Sequence, residues 1–179
     1  MKGESDSHRQ QQLYWNQMTQ LRIAAAYIRL YRDDIGIWVK RLGILKAIAS
    51  NGSIAGWLVW IAGWLVWKEY APLWAVLIGA SQLADALKDV FPVTKLHKST
   101  SEHSLVLGSM FIDAQAEWES ISFGRYTDEQ IAKQRYKLMK LQHDAEKKSF
   151  PEGLPFKKRL FNAAQREAEA YFTSTYNLR

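Results

Sequence analysis

Apolar and polar positions alternate along the first 46 residues in steps of three and four. Leu21, Ala24, Ile28, Tyr31, Ile35, Trp38, Leu42 and Leu45 fall on one stripe, and Arg22, Arg29, Arg32, Lys40 and Arg41 lie mostly off it. Steps of that size return a side chain to the same face of an α-helix, so the pattern predicts one long amphipathic helix over residues 8–46. Such a stripe has two uses: packing on neighbouring helices of the same chain, or forming a coiled-coil seam between copies.

The pattern then changes. Between Lys46 and Lys68 lie 21 residues without a charge, and they contain an immediate repeat, Gly-Trp-Leu-Val-Trp at 56–60 and again at 63–67. A helix of that length covers about 30 Å, the thickness of a bilayer's hydrocarbon core, so Ala47–Trp67 is expected to span a membrane. Lys68-Glu69 reads as a minimal turn, with Pro72 placed where a first helical turn tolerates it. Tyr70–Ala84 is a second uncharged stretch of 15 residues, ending at Asp85. At about 23 Å it is short, and it either crosses a thinned bilayer or forms a re-entrant arm.

Beyond the hairpin, Lys95, Lys98 and the Ser/Thr run at 99–101 read as an exit loop. Helical spacing resumes from about Leu105, with Leu107, Phe111, Ala114, Trp118 and Ile121, and Gly124 stops it. Thr127-Asp-Glu-Gln130 is a capping-box start for a helix carrying Ile131, Leu138 and Leu141 and ending near Lys148. Phe150-Pro-Glu-Gly-Leu-Pro155 is a break. A last helix from about Phe156 turns Leu160, Ala164, Ala168 and Tyr171 inward. No stretch reads as a strand pair, so the expected fold class is all-α. Its three parts are an N-terminal cytoplasmic helix (1–46), a transmembrane hairpin (47–92) and a cytoplasmic helical region (93–179).

Charge supports that division. Residues 1–46 hold 8 basic and 4 acidic side chains, 47–92 hold 2 and 3, and 93–179 hold 14 and 11. A basic excess on both sides of a nearly neutral middle suits a chain lying against anionic lipid. With Lys40, Arg41 and Lys46 on one flank and Lys88, Lys95 and Lys98 on the other, the positive-inside bias places both termini in the cytoplasm. No apolar stretch begins before about Ile23, so no secretory signal peptide is expected. With no cysteine there is no disulfide, thiolate metal site or thiol nucleophile.

On a helical wheel of the first arm, Ala49, Gly52, Gly56 and Gly63 share a narrow face, which lets another helix approach closely. Trp57, Trp60, Trp64 and Trp67 form an adjacent stripe. Trp60 and Trp64 fall deep in the run, where an indole N–H in lipid lacks a partner, so they are expected to face protein or line an aqueous path. In the second arm Ala75, Gly79, Gln82, Ala86 and Asp89 share a face. Gly52, Gly56, Gly63 and Gly79 are therefore the expected packing and oligomer residues. Gln82, Asp85 and Asp89 are the polar membrane-proximal ones, read either as functional acids or as charged stops at the headgroups.

Catalytic chemistry is not indicated. His8, His97, His103 and His143 make no helix-face metal pair, and Glu102-His103 reads as ordinary surface sequence. There is no phosphate-binding glycine loop and no nucleophile elbow, and Asp113, Glu117 and Glu119 read as a solvated flank. No cofactor, metal or enzymatic role is expected.

In layout the chain resembles the SLATT-type two-transmembrane-helix effectors of bacterial antiphage defence. The likeness rests on the leading amphipathic helix ending Val39-Lys-Arg-Leu42, the apolar hairpin over 47–87, and the tail from Ala116-Glu-Trp118 through Gly124-Arg-Tyr-Thr-Asp-Glu129 with its following Leu-spaced helix and Pro-broken loop. It covers most of residues 8–172, and its motifs are of low specificity. The resemblance implies a homo-oligomerising membrane toxin that damages the inner membrane when a separate sensor releases it. That sensor would be a nucleotide-signalling enzyme, or a reverse transcriptase with its RNA–DNA product. Lys133, Arg135, Lys137, Lys140, Lys157, Lys158 and Arg159 are the expected partner contact, weighed against an ordinary solvated face; direct nucleic-acid contact is only weakly indicated, because acids are interspersed. Two other classes fit the same layout: a harmless anchor or adaptor, and a holin-like phage protein.

Overall fold

The structure is a computed structural model that describes the backbone of residues 2–62 and 93–177, with side chains described at 8–44 and 93–177. Among the described residues the fold is all-α. It has four helices, α1 (Lys2–Ala62), α2 (Val93–Ser122), α3 (Asp128–Ser149) and α4 (Lys158–Tyr176), and no strand. The chain divides into two compact units, one of Met1–Asp33 with Lys98–Arg179 and one of Asp34–His97.

The first unit is a helical bundle built on four stripes. From α1 come Tyr14, Met18, Leu21, Ala25, Ile28 and Tyr31, at steps of four and three. From α2 come Thr100, His103, Leu107, Phe111, Ala114 and Ile121, from α3 Ile131 and Leu138, and from α4 Leu160, Ala164, Ala168 and Phe172. Each Leu or Ile buried to this degree contributes about 1.5–3 kcal/mol of transfer free energy. The alanines at 114, 164 and 168 let large neighbours interleave, and the space is filled by rings. Trp15 lies 5.0 Å from Trp118, 5.1 Å from Phe172 and 4.9 Å from Tyr176. The predicted stripe of α1 is thus used within the chain over Leu21, Ile28 and Tyr31, with Ala24 half-buried, which is the first of its two readings.

Polar contacts fix the register between helices. Tyr14 Oη donates to the Ala114 carbonyl at 3.2 Å, Gln17 Nε2 to Gln142 Oε1 at 3.1 Å, and Tyr171 Oη to Gln115 Oε1 at 2.9 Å. Arg29 pairs with Glu167. The Arg22 guanidinium stacks 4.3 Å from the Tyr171 ring centroid and 5.1 Å from that of Phe111.

Local sequence sets the helix ends. At the end of α2, Gly124 takes φ +69°, Arg125 N–H donates to the Ser120 carbonyl at 3.2 Å, and Gly124 N–H donates to that of Ile121 at 3.0 Å. This pair of bonds is a Schellman motif, and its left-handed residue favours glycine. Thr127 then begins α3 with a complete capping box: Gln130 N–H donates to Thr127 Oγ1 and Thr127 N–H to Gln130 Oε1, at 3.4 and 2.8 Å. Asp128 and Glu129 in the first turn and Lys147 and Lys148 in the last complement the helix dipole.

Three expectations for this region need correction. The predicted exit loop at 95–101 lies inside α2, because the inward stripe begins at Thr100 and His103, whose polar side chains concealed it. Leu141, one turn beyond Leu138 at the flank of the buried stripe of α3, is 45% exposed. In α4 the innermost aromatic is Phe172 rather than Tyr171, since the stripe continues in steps of four from Leu160.

In the second unit, Ile35 is buried and the His97 imidazole sits 3.3 Å from where a Cβ would stand on Gly36. The apolar stripe of α1 changes character here: Trp38 and Leu42 are exposed, with Ile37 and Ile44. The backbone of α1 continues through Lys46 to Ala62 without a break. Among the described residues no helix is long and apolar enough to cross a membrane. Ser50, Asn51, Gly52 and Ser53 dilute the run, and α1 is described only to Ala62, five residues short of Trp67.

Candidate functional site

The expected packing and aromatic residues fall partly within α1. Gly52 and Gly56, four apart, and Trp57 and Trp60, three apart, occupy its last turns, where the backbone alone is described. Gly63, Trp64, Trp67, Gly79, Gln82, Asp85 and Asp89 lie outside the described residues. Upstream on the same helix, Ile37 (52% exposed), Trp38 (56%) and Ile44 (59%) stand in solvent beside exposed Lys40 and Arg41. The Arg41 guanidinium lies 5.8 Å from the Trp38 ring centroid. From Ile35 to Ala62 the helix carries Lys40, Arg41 and Lys46 and no acid.

The seven basic residues expected to meet a partner separate into four groups. Lys133, Lys137 and Lys140 line a shallow groove of about 470 Å³ on α3, together with Tyr136, Leu141 and Asp144. At 100° per residue the three lysines, Tyr136 and Asp144 turn away from buried Ile131 and Leu138, so the three ammonium groups form one outward stripe, with Tyr136 at one margin and Leu141 between its other margin and the buried face. Arg135 sits off that stripe, half-buried, with Nε shielded from solvent and without a hydrogen-bond partner. Lys157 has an internal role: its N–H donates to Tyr27 Oη at 3.0 Å, and its ammonium lies 4.5 Å from the Tyr31 ring centroid. Lys158 and Arg159 are exposed at the start of α4.

One titratable group that the sequence reading assigned to the surface is in the core. His103 is 3% exposed, its Nδ1 is 3.1 Å from Ser149 Oγ, and its ring meets the edge of Phe150 at 5.2 Å. Burial lowers its pKa below the usual histidine value, opposed by the charge of Glu146. Its spacing from Leu107 and Phe111, four and eight residues, was the available signal. Among the described residues no group of three or more His, Asp or Glu is placed to hold a metal ion.

A second depression, of about 340 Å³, lies between Trp15, Thr19 and Ile23 of α1 and Ala168, Glu169 and Phe172 of α4. Its walls are mainly apolar, with no cluster of polar groups to orient a ligand. The features with chemical direction are therefore the acid-free length of α1 and the lysine stripe of α3. Comparisons with protein-family models, curated proteins and solved structures find no match to this chain.

Proposed function

We propose that this chain is a membrane effector of a bacterial antiphage, abortive-infection system, carried by a transmembrane hairpin over residues 47–92. In this reading the hairpin oligomerises through Gly52, Gly56, Gly63 and Gly79 and permeabilises the inner membrane when a sensor protein releases it. Both termini lie in the cytoplasm, and the sensor is a nucleotide-signalling enzyme or a reverse transcriptase with its RNA–DNA product. The observation that carries the proposal is the continuity of α1, a single helix that passes from a packed core stripe into a segment with no acid from Ile35 onward and no charge after Lys46. The uncharged end of α1 suits a bilayer interior, and its cations suit the cytoplasmic face of an anionic bilayer.

The test is induced expression with a membrane-potential dye, alone and beside neighbouring genes. Rapid depolarisation is the expected result when the sensor is absent or triggered. Intact potential and normal growth under every partner condition refute the toxin. A second reading, a non-toxic anchor or adaptor, draws support from the outward stripe of Lys133, Lys137 and Lys140, which suits tethering of an acidic partner. It predicts that the partner moves to the membrane fraction with this chain while the potential stays intact.

A further inference from the structure

Four large apolar side chains of α1 are exposed within eight residues: Ile37, Trp38, Leu42 and Ile44. Scattered exposed apolar groups need no explanation, but a cluster on one short stretch does. On a wheel of 100° per residue, Ile37, Lys40, Arg41 and Ile44 fall within one arc of about 100°, with Trp38 and Leu42 continuing it on one side. Half-buried Gly36 and Val39 lie on the other face, and buried Ile35 borders it beside Leu42. The exposed face is therefore apolar and cationic at once.

We propose that residues 37–44 seat in the phosphate layer of an anionic bilayer, with Lys40 and Arg41 on the headgroups and Ile37, Trp38 and Ile44 inserted at the acyl boundary. The inference rests on the membrane reading above and adds the lipid class that the chain requires. Three observations select anionic lipid as the occupant. The face carries two cations, and no acid follows Asp34 in α1, so its charge complements phosphate. Its apolar members include an exposed indole, the ring that prefers the membrane–water boundary. It is also continuous with the uncharged run: Ile44 precedes Ala47 by about 4.5 Å of helix and Arg41 by about 9 Å. Those distances bracket the headgroup zone, about 5–8 Å deep on each side of the hydrocarbon. Ile37, about 15 Å before Ala47, enters the same zone only if this part of the helix is inclined toward the membrane plane.

Because the chain has no cysteine, single substitutions report cleanly. Full-length Ile37→Cys, Ile44→Cys and, as a distant exposed reference, Lys147→Cys are reconstituted into phosphatidylcholine vesicles with and without phosphatidylglycerol. Maleimide labelling rates are measured, and alkaline washing scores retention. The expected result is labelling at positions 37 and 44 at least tenfold slower in phosphatidylglycerol vesicles than in pure phosphatidylcholine, with position 147 unchanged. Adding Lys40→Glu and Arg41→Glu should remove the difference, because each basic side chain at an anionic surface is worth about a fivefold preference. Equal rates in both lipids, fast or slow, with the chain retained after washing overturn the anionic seat and leave the membrane reading standing. Slow labelling already present in detergent assigns the face to a second copy and overturns the seat. Release of the chain by the wash from both vesicle types overturns the membrane reading itself.

Discussion

His103 makes the stability of the helical bundle depend on pH, and the structure fixes the sign. Burial against Phe150 and Leu107 holds the imidazole neutral, so its folded pKa lies below the unfolded value of 6.5. The unfolded chain takes up a proton as the pH falls through 6.5, and the folded chain does not follow until its lower pKa is reached. The contribution is complete above 6.5 and declines as the pH falls between those two values. One proton bounds the slope at about 1.4 kcal/mol per pH unit, the equivalent of one pKa unit. Glu146, the acid that acts on the ring, works against the decline without reversing it. The informative perturbation is His103→Gln, which keeps a polar group near Ser149 and removes the titration. It also loses the edge contact with Phe150, which costs about 0.5–1.5 kcal/mol at all pH values. Urea unfolding of the full chain in detergent, followed by circular dichroism at pH 7.5, 6.5 and 5.5, should show the native protein more stable at pH 7.5 and the two curves converging by pH 5.5. Parallel curves would refute a neutral buried imidazole.

Other substitutions test the helix ends and the lysine stripe. Thr127→Ala removes one half of the capping box and should lower stability by about 1 kcal/mol, read as a shifted urea midpoint at unchanged slope. Gly124→Ala places a Cβ at φ +69° and should cost about 1–2 kcal/mol. Gly43→Ala, which meets open space in a helix interior, should instead stabilise by about 0.5–1 kcal/mol; a loss there would mean that the glycine is needed for its flexibility. On the proposed reading in which these lysines hold a partner, Lys133→Glu combined with Lys137→Glu and Lys140→Glu should leave the thermal midpoint within about 2–4 °C while abolishing co-purification with that proposed partner. A retained partner would place the contact elsewhere.

The helical class, the Gly124 stop, the Thr127 cap and the 150–155 break were legible because each depends on neighbours a few residues apart. The inward faces of α1 and α2 were legible wherever Leu, Ile or Phe marked them. They became illegible where the core uses polar side chains: Thr100 and His103 read as loop and surface, and the partners of His103, Ser149 and Phe150, lie more than 40 residues away. Leu141 misled in the opposite sense, an apolar residue one turn beyond Leu138 that is left 45% exposed. For the candidate sites, charge runs located the basic residues but not their grouping. That Lys157 turns onto Tyr31 while Lys133, Lys137 and Lys140 turn outward follows from the packing of α4 against α1 and from the exposed face of α3.

The bundle also imposes an order in time. The α2–α3 turn is set by a Schellman glycine and a capping box that need only local sequence. The N-terminal half of α1 depends on residues made last, since Tyr14 waits for Ala114, 100 positions on, and Arg29 waits for Glu167, 138 positions on. At about 5–20 residues per second, Arg29 remains without its partner for roughly 7–28 s during synthesis. The apolar length of α1 beyond Lys46 leaves the ribosome well inside that interval. In the membrane reading proposed above, any targeting machinery therefore meets the uncharged segment while the helical bundle is still unmade.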